Sequence, residues 1–524
     1  MRLRVSSVAY PFAPVGADAA GGAEPAASQS PAAPVAGAPG QPPQPQIAAA
    51  HATTGQAQTF CGKVWLANGH VKMCSFRRCF GAVLLLCGAC SSVPNVDQLV
   101  DRSGSGSSRP QLVGMHGPLT AKQSKLVLAR LELEAPNTDV LARHLALEDA
   151  LAESPLAVGN KVTLLRDSAA TLAATFRAIR EAKDHVNLEY YIVEDVEENG
   201  VRLSDLLIEK QRQGVQVNLI YDGIGSISTP SDFFDRLQDA GASVLEFHPV
   251  DQAYSLNDRD HRKILIADGR VATVGGVNLS TVYASAPLSS GNAAGPWQDA
   301  DLKIEGPAVA ALQKLFIATW TQQNGPPFPV KNDFFPHIDG GGKDVVRILG
   351  STPDHDVPQY YVSLLSAIRN AERRIWITAA YFVPTAQEKD DLTAAAKRGV
   401  DVRLLLPSLS DNELPLLAGR SHYEDLLEAG AKIYEYRPAI LHTKAVVIDG
   451  VWSVLGSSNF DHRSVLFNNE VDAVVLGPET ATQMEAMFED ELTRATPIDE
   501  HSWRHRPIAE RMRELFARAW EVLL

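Results

Sequence analysis

HRKILIADGRVATVGGVNLS, residues 261–280, returns as HTKAVVIDGVWSVLGSSNFD at residues 442–461. His261, Lys263, Asp268, Gly275 and Asn278 each have a counterpart 181 positions further on, namely His442, Lys444, Asp449, Gly456 and Asn459. Five polar or glycine identities in one register mark an internal duplication. A polar set present twice implies one pocket built across a pseudo-twofold axis, with a histidine and a lysine from each half.

His and Lys two apart on a predicted strand leave the same face, so one face carries the chemistry. The Asp lies seven residues past the His, about 23 Å along an extended strand at ~3.3 Å per residue, too far to orient the same ring. Asp268-Gly269 and Asp449-Gly450 are dipeptides that favour a tight hairpin turn, which gives these carboxylates structural work. The strands VATVGGVNL and WSVLGSSNF then return antiparallel, bringing Gly275, Gly276 and Asn278, and Gly456, Ser457 and Asn459, beside the His and Lys. Small residues there let a ligand approach the backbone, and Asn can donate to an oxyanion. His248, His422 and His501 lack this context and read as surface or packing residues. Two histidines among carboxylates suggest zinc, but a lysine beside each repels a cation, so no metal is expected.

Working outward, LLRDSAATLAATFRAIREAKDHVNLEYYIV (164–193) is a strand, an amphipathic helix and a strand, and VVRILGSTPDHDVPQYYVSLLSAIRNAERRIWITAAYFVP (345–384) is the same series. QRQGVQVNLIYD answers AKRGVDVRLLLP, and LQDAGASVLEF answers LEAGAKIYEY, each a helix end, a Gly stop and a buried apolar strand. Helices alternating with strands imply α/β layering. The expectation is an α/β fold of two halves, 161–340 and 341–524, each a mainly parallel or mixed β-sheet flanked by helices. The halves are related by pseudo-twofold symmetry and share one active site. A helical segment at 119–160 precedes them, with helices at 120–133 and 138–152 separated by Pro136-Asn137.

The chain has 524 residues, 45% apolar and 21% charged, enough for several domains and a large core. Its net charge of −14 disfavours nonspecific nucleic-acid binding, which needs clustered Lys and Arg to displace counterions. All five cysteines (Cys61, Cys74, Cys79, Cys87, Cys90) precede residue 91, leaving no disulfide and no thiolate metal site beyond it. Residues 1–72 read as disordered or as sequence upstream of a true start at Met73, because 1–59 is rich in Ala, Pro, Gly and Gln without apolar periodicity. MCSFRRCFGAVLLLCGACSS (73–92) resembles a bacterial lipoprotein signal. Arg77 and Arg78 form its charged region, 80–86 its short apolar run, and Gly88-Ala89-Cys90 its cleavage site, although Cys87 stands where such signals usually carry Leu. That resemblance implies lipidation of Cys90, a Ser, Gly and Pro rich tether at 91–118, and a membrane-bound protein facing the periplasm. The apolar run is short of the ~20 residues that span a bilayer.

HxKxxxxD followed by G(G/S)xN, present twice, resembles the phospholipase D superfamily. NDRDHRK, GGVNL, WQD (297–299), LKIEGPAV, AAYFVP, YEDLLEAGAKIYEY, LHTK and GSSNFDHRSVLFNNE narrow the resemblance to bacterial cardiolipin synthases, over 162–492. In those synthases two transmembrane helices often come first, and no such pair is read after residue 90 here. The resemblance implies a catalytic set of His261, Lys263, Asp268, His442, Lys444, Asp449, Asp299 and Glu470. The family's second acidic position maps onto Glu470, 28 residues after His442, and onto Asp299, 38 after His261, with Asp301 the competitor and the insertion 284–296 accounting for the longer gap. Lys263, Asn278, Lys444 and Asn459 are implied to hold the substrate phosphate. One histidine forms a phosphohistidine, His261 favoured, and the other acts as acid and base while Asp299 and Glu470 hold the rings. Trp297 and Tyr191 either line the lipid entrance or pack the core. Arg463 and Ser464, in a DxRS pattern, form a structural corner or touch substrate.

The implied reaction is transfer of a phosphatidyl group between phosphatidylglycerols at a membrane surface, with no cofactor, no nucleic acid and a site complete in one chain. A phospholipase D with water as acceptor is the alternative. The insertion 284–296 is the best candidate for a cover that keeps water from the intermediate. A nuclease is disfavoured by charge and by the two motifs in one chain, and a non-enzymatic lipid-binding protein by both motifs being intact.

Overall fold

A computed structural model describes residues 93–96, 111–134, 140, 141, 144, 145, 154–250, 257–283, 295–338, 341–353 and 357–524. The lipoprotein-type signal with Cys90, and residues 284–294 of the insertion, lie outside these. The helix Ala121–Glu134 forms as expected; residues 140, 141, 144 and 145 are helical, and the rest of the second expected helix lies outside the described residues.

The first half contributes β1 (Leu156–Leu165), β2 (His185–Tyr190), β3 (Gln216–Asp222), β4 (Ser243–Phe247), β5 (Lys263–Ala267), β6 (Val271–Gly275) and β7 (Asp301–Glu305). They form a sheet in the order β1-β7-β6-β5-β2-β3-β4, parallel only at β2/β3 and β3/β4. The second half contributes β8 (Asp344–Ser351), β9 (Arg374–Thr378), β10 (Asp401–Pro407), β11 (Lys432–Tyr436), β12 (Ala445–Ile448), β13 (Trp452–Gly456) and β14 (Asn468–Leu476). Their order, β8-β14-β13-β12-β9-β10-β11, is the first order moved on by seven, with the same directions. The duplication therefore extends to the whole topology. Each sheet is mixed, with antiparallel pairs in the majority.

The sheets join edge to edge, β1 pairing with β8 through Val158↔Val345 and Ala157↔Val346. β1 starts at Leu156, inside the segment expected to be helical, because Leu156 and Ala157 pair with the short strand Leu112–Gly114, and Ala157 and Val158 with β8 of the other half. Both faces of the central strands are covered, which is why they read as unbroken apolar runs. Ile264 and Ile266 of β5 share a core with Ala445 and Val447 of β12. The intervening Leu265 and Ala267, and Val446 and Ile448, fill separate cores behind each sheet. The shared core is completed by two helices placing apolar residues at helical spacing: Val309, Leu312, Phe316 and Trp320 from Val309–Gln322, and Ala481, Met484 and Met487 from Pro478–Leu492. Arg262, buried beside His261, crosses the junction by donating to the Glu470 carbonyl at 3.1 Å and the Ser351 carbonyl at 3.2 Å.

Candidate active site

Each histidine sits just ahead of its strand, His261 two residues before β5 begins at Lys263 and His442 three residues before β12 begins at Ala445. The cause is a pair of reciprocal straps between the halves. The His261 N–H donates to the Asn469 carbonyl at 2.9 Å, and the His442 N–H to the Gln298 carbonyl at 2.7 Å. Asn469 and Gln298 each precede a carboxylate, so each strap delivers the acid of one half to the histidine of the other. His261 Nδ1 lies 3.0 Å from Glu470 Oε2 and His442 Nδ1 lies 2.6 Å from Asp299 Oδ2. Neither half holds a complete histidine-carboxylate pair by itself.

With Nδ1–H donating to a carboxylate, Nε2 keeps the lone pair on both rings. Burial lowers the His261 pKa to about 4 against the opposing pull of Glu470, so this ring is a free base near pH 7. Burial, then Lys444, also lowers His442. Lys263 is brought down to about 7, first by burial and also by Lys444, against Glu470. Burial opposes ionisation of Asp299 and Glu470, but Lys444 and His442 around the first and His261 and Lys263 around the second outweigh it, and both carboxyls are lowered. Lys263 Nζ donates to the His261 carbonyl, and Lys444 Nζ stands 3.1 Å from His442 Nε2.

A cleft of about 430 Å³ is lined by both histidines, Asn278, Asn459, Tyr191, Trp297, Arg259, Tyr381, Asp411 and Arg463. Tyr191 meets the His261 ring edge-on with centroids 5.2 Å apart, and Trp297 lies 5.3 Å from the His442 ring, so both aromatics belong to the site. The asparagines are unequal. Asn278 is tied to the Ile192 N–H at 3.1 Å and to Tyr283, whereas Asn459 Oδ1 has no protein hydrogen-bond partner among the described residues. Sequence reasoning missed Tyr283, whose hydroxyl is 3.1 Å from His442 Nδ1. It also missed the cage around Glu470, in which Ser457 donates at 2.5 Å, Ser464 at 2.9 Å and Asn468 at 3.1 Å. Ser464 is thus a positioning group for the carboxylate, while Arg463 lines the cleft and donates to the Asn257 carbonyl at 2.8 Å.

The glycines serve a different purpose from the expected one. A Cβ on Gly276 would fall 2.3 Å from Asp299 Oδ1, and Cβ atoms on Gly275 and Gly456 would fall 2.1 Å from Asp301 and Asp472 oxygens. Side chains of the site, not ligand, occupy the space. Asp301 accepts from the Val277 N–H at 3.1 Å and makes no contact with His442, which leaves the role to Asp299. Its equivalent Asp472, raised by burial to about 8, accepts from Ser458 at 2.5 Å.

Asp268 and Asp449, expected in the catalytic set, stand at the hairpins between β5 and β6 and between β12 and β13, with φ of 53° and 54° followed by Gly269 and Gly450 at 62° and 72°. Their carboxylates are taken by backbone. Asp268 accepts from the N–H groups of Lys183, Asp184 and His185, and Asp449 from those of Glu372, Arg373 and Arg374, at 2.8–3.0 Å. They clamp the hairpin to the start of the neighbouring strand, away from the cleft. Asp449→Asn, which tolerates the left-handed backbone but loses acceptor strength, is expected to cost about 1–3 kcal/mol. Denaturant unfolding measures that loss, and kcat of the folded variant should stay within a few-fold of the parent. A drop of a hundredfold in folded protein would return Asp449 to the reaction.

His422 is buried and pairs with Glu521 at 3.2 Å, a packing role. No helix of the described residues is long and apolar enough to cross a membrane.

A family model described as "Cardiolipin synthase, PLD-like domain" matches residues 175–286 and 364–492, one stretch in each half. The chain is 34% identical over 386 residues to a cardiolipin synthase of Geobacillus sp. (strain WCH70), covering 72% of this chain and 76% of the relative. It is 31% identical over 405 residues to cardiolipin synthase 1 of Bacillus anthracis, covering 75% and 78%. Among solved structures, the phosphatidylserine synthase of Haemophilus influenzae Rd KW20 aligns with a TM-score of 0.52 at 13% identity, over 76% of this chain and all of that one, a likeness of fold. With the duplicated histidine-lysine motif, the cross-paired carboxylates and these relatives in agreement, the chain belongs to the cardiolipin synthase family of phospholipase D-like proteins.

Proposed function

We propose that the chain is a phosphatidyltransferase that converts two phosphatidylglycerols into cardiolipin and glycerol through a phosphohistidine. The observation that carries this is the pair of histidines lining one cleft, each held at Nδ1 by a carboxylate of the opposite half. In the first step the lone pair of His261 Nε2 forms a bond to phosphorus and the bond to the departing glycerol oxygen breaks. His442 gives that oxygen its proton. In the second step His442 takes the proton of a hydroxyl on another phosphatidylglycerol, the oxygen bonds phosphorus, and the phosphorus–nitrogen bond breaks. Lys263, Lys444 and Asn459 neutralise and hold the phosphate oxygens, and Asn278, tied to Ile192 and Tyr283, shapes the wall beside them.

The arriving anion favours the protonated forms of His442 and Lys263, which burial alone disfavours. The site is complete in one chain, which supports a monomeric catalytic unit. Attachment through lipidated Cys90 at the periplasmic face belongs to the same reading.

The test is product identity. Purified protein given phosphatidylglycerol in detergent is expected to yield cardiolipin and free glycerol, with phosphatidic acid a minor product. Phosphatidic acid as the main product, even with added glycerol or phosphatidylglycerol, would make the chain a phospholipase D.

A further inference from the structure

The C-terminal helix Ile508–Arg518 is built inside out for a surface helix of a soluble protein. Ile508, Met512, Leu515 and Phe516, at the i, i+4, i+7, i+8 positions of one stripe, are all exposed, Ile508 at 77% and Phe516 at 67%. The buried positions are Glu514 and Ala517. Glu514 accepts from Arg506 at 2.6 Å, and Ala517 packs on Val383 and on Ala418 of the helix Glu413–Arg420. Val522 and Leu523 extend the apolar face beyond the helix.

This face runs into the active-site cleft. Asn412 lines both the cleft and the apolar groove formed by Leu414, Leu417, Met512 and Phe516, while Pro415, Leu523 and Leu524 stand in the cleft wall itself. The Leu524 carbonyl accepts from the Arg463 N–H at 3.1 Å, which ties the end of the chain to the catalytic rim. In a chain of net charge −14, residues 501–524 carry five arginines against three glutamates. Arg513 and Arg518 on the helix pair with Glu413 and Glu521, at 2.6 and 3.6 Å.

We infer that this C-terminal face docks on the surface of a bilayer containing anionic phospholipid and sets the mouth of the cleft against it. The inference rests on the proposed function for its substrate. A cleft of about 430 Å³ is of the size that takes a drug-sized ligand, room for a phosphate and its headgroup but not for the acyl chains of two phospholipids. Those chains stay in the bilayer, so the mouth must meet it, and the apolar stripe is the surface adjoining that mouth. An amphipathic helix with exposed Phe, Leu, Ile and Met on one side and arginines beside them lies in the interfacial plane through apolar burial plus attraction to anionic headgroups.

The test is hydrogen exchange of the full chain with vesicles of phosphatidylglycerol. Amides of Ile508–Arg518 and of residues 520–524 are expected to exchange at least fivefold more slowly, with less protection from phosphatidylcholine vesicles. L515E/F516E changes two exposed side chains and keeps the core. It is expected to remove the protection and to cut turnover of vesicular phosphatidylglycerol at least tenfold, while turnover of a short-chain phosphatidylglycerol dispersed as monomers stays within twofold. Equal exchange with and without vesicles overturns the inference. So does protection that appears without lipid and grows with protein concentration, which would assign the face to a second copy of the chain. Vesicle protection in a protein that turns over neither lipid would uphold the docking and sink the proposed function.

Discussion

His261→Ala and His442→Ala are each expected to lower turnover of phosphatidylglycerol by about ten-thousand-fold or more while the protein stays folded. Both rings line the cleft rather than the apolar cores, so their loss removes a reactive nitrogen and leaves the packing of the halves in place. The two variants should differ with an activated substrate. A p-nitrophenyl phosphatidyl ester expels a phenolate that needs no proton, so His442→Ala should still release p-nitrophenol in a single burst and retain the phosphatidyl group on His261. His261→Ala should show no burst. The reverse pattern would exchange the two roles, and near-normal rates from either variant would dissolve the shared site.

Much of this is legible in the sequence because duplication fixes more than a single motif can. His261 and His442, with their lysines and asparagines, were found by repetition alone, and the fold class followed from the alternation of helices and strands on either side. Asp299 and Glu470 came from family resemblance, since nothing local distinguishes Asp299 from Asp301. What separates them is β7, which begins at Asp301 and points that side chain toward the Val277 backbone, while Asp299 lies before the strand beside the strap from Gln298 to His442. The cross-pairing of acids and histidines was beyond sequence reasoning, because it depends on contacts between segments some 143 and 209 residues apart. The reading of Gly275, Gly276 and Gly456 as room for a ligand failed for a related reason. Small residues signal a close approach, but not whose atoms approach, and here they are carboxylate oxygens of β7, β14 and the segment before β7.

Ser457 and Tyr283 show where the duplication itself misleads. Repeats draw attention to what is the same, yet the two carboxylates are held by different means. Besides its histidine, Glu470 accepts from three side chains, whereas Asp299, besides its histidine, accepts from the Ala300 N–H at 2.8 Å and lies 3.5 Å from the Tyr283 hydroxyl. Where the second half places Ser457, the first has Gly276, so the acid of the first half has no hydroxyl from that position. This asymmetry is what a site needs if one histidine is to act as nucleophile and the other as acid and base.

Glu470→Gln is therefore expected to lower kcat by about a thousand- to ten-thousand-fold, close to losing the histidine itself. The change is isosteric: the amide oxygen placed at Oε1 still accepts from Ser464 and Asn468, and Ser457, which donates to Oε2, meets the amide nitrogen and accepts from it by turning its hydroxyl, so the fold should hold. The difference falls on His261. A glutamine amide at Nδ1 either donates where the ring must donate or leaves Nδ1–H weakly held, and both outcomes work against the tautomer that keeps the lone pair on Nε2. Removing the Glu470 charge also withdraws the one strong influence that raises the His261 pKa, so that pKa should fall below about 4 and the acid limb of kcat/KM should move to lower pH. A role limited to holding the halves together predicts a lower melting temperature with normal kcat in the folded fraction and an unmoved acid limb. Finding that combination would remove Glu470 from the reaction and leave His261 positioned by the backbone strap to Asn469 alone.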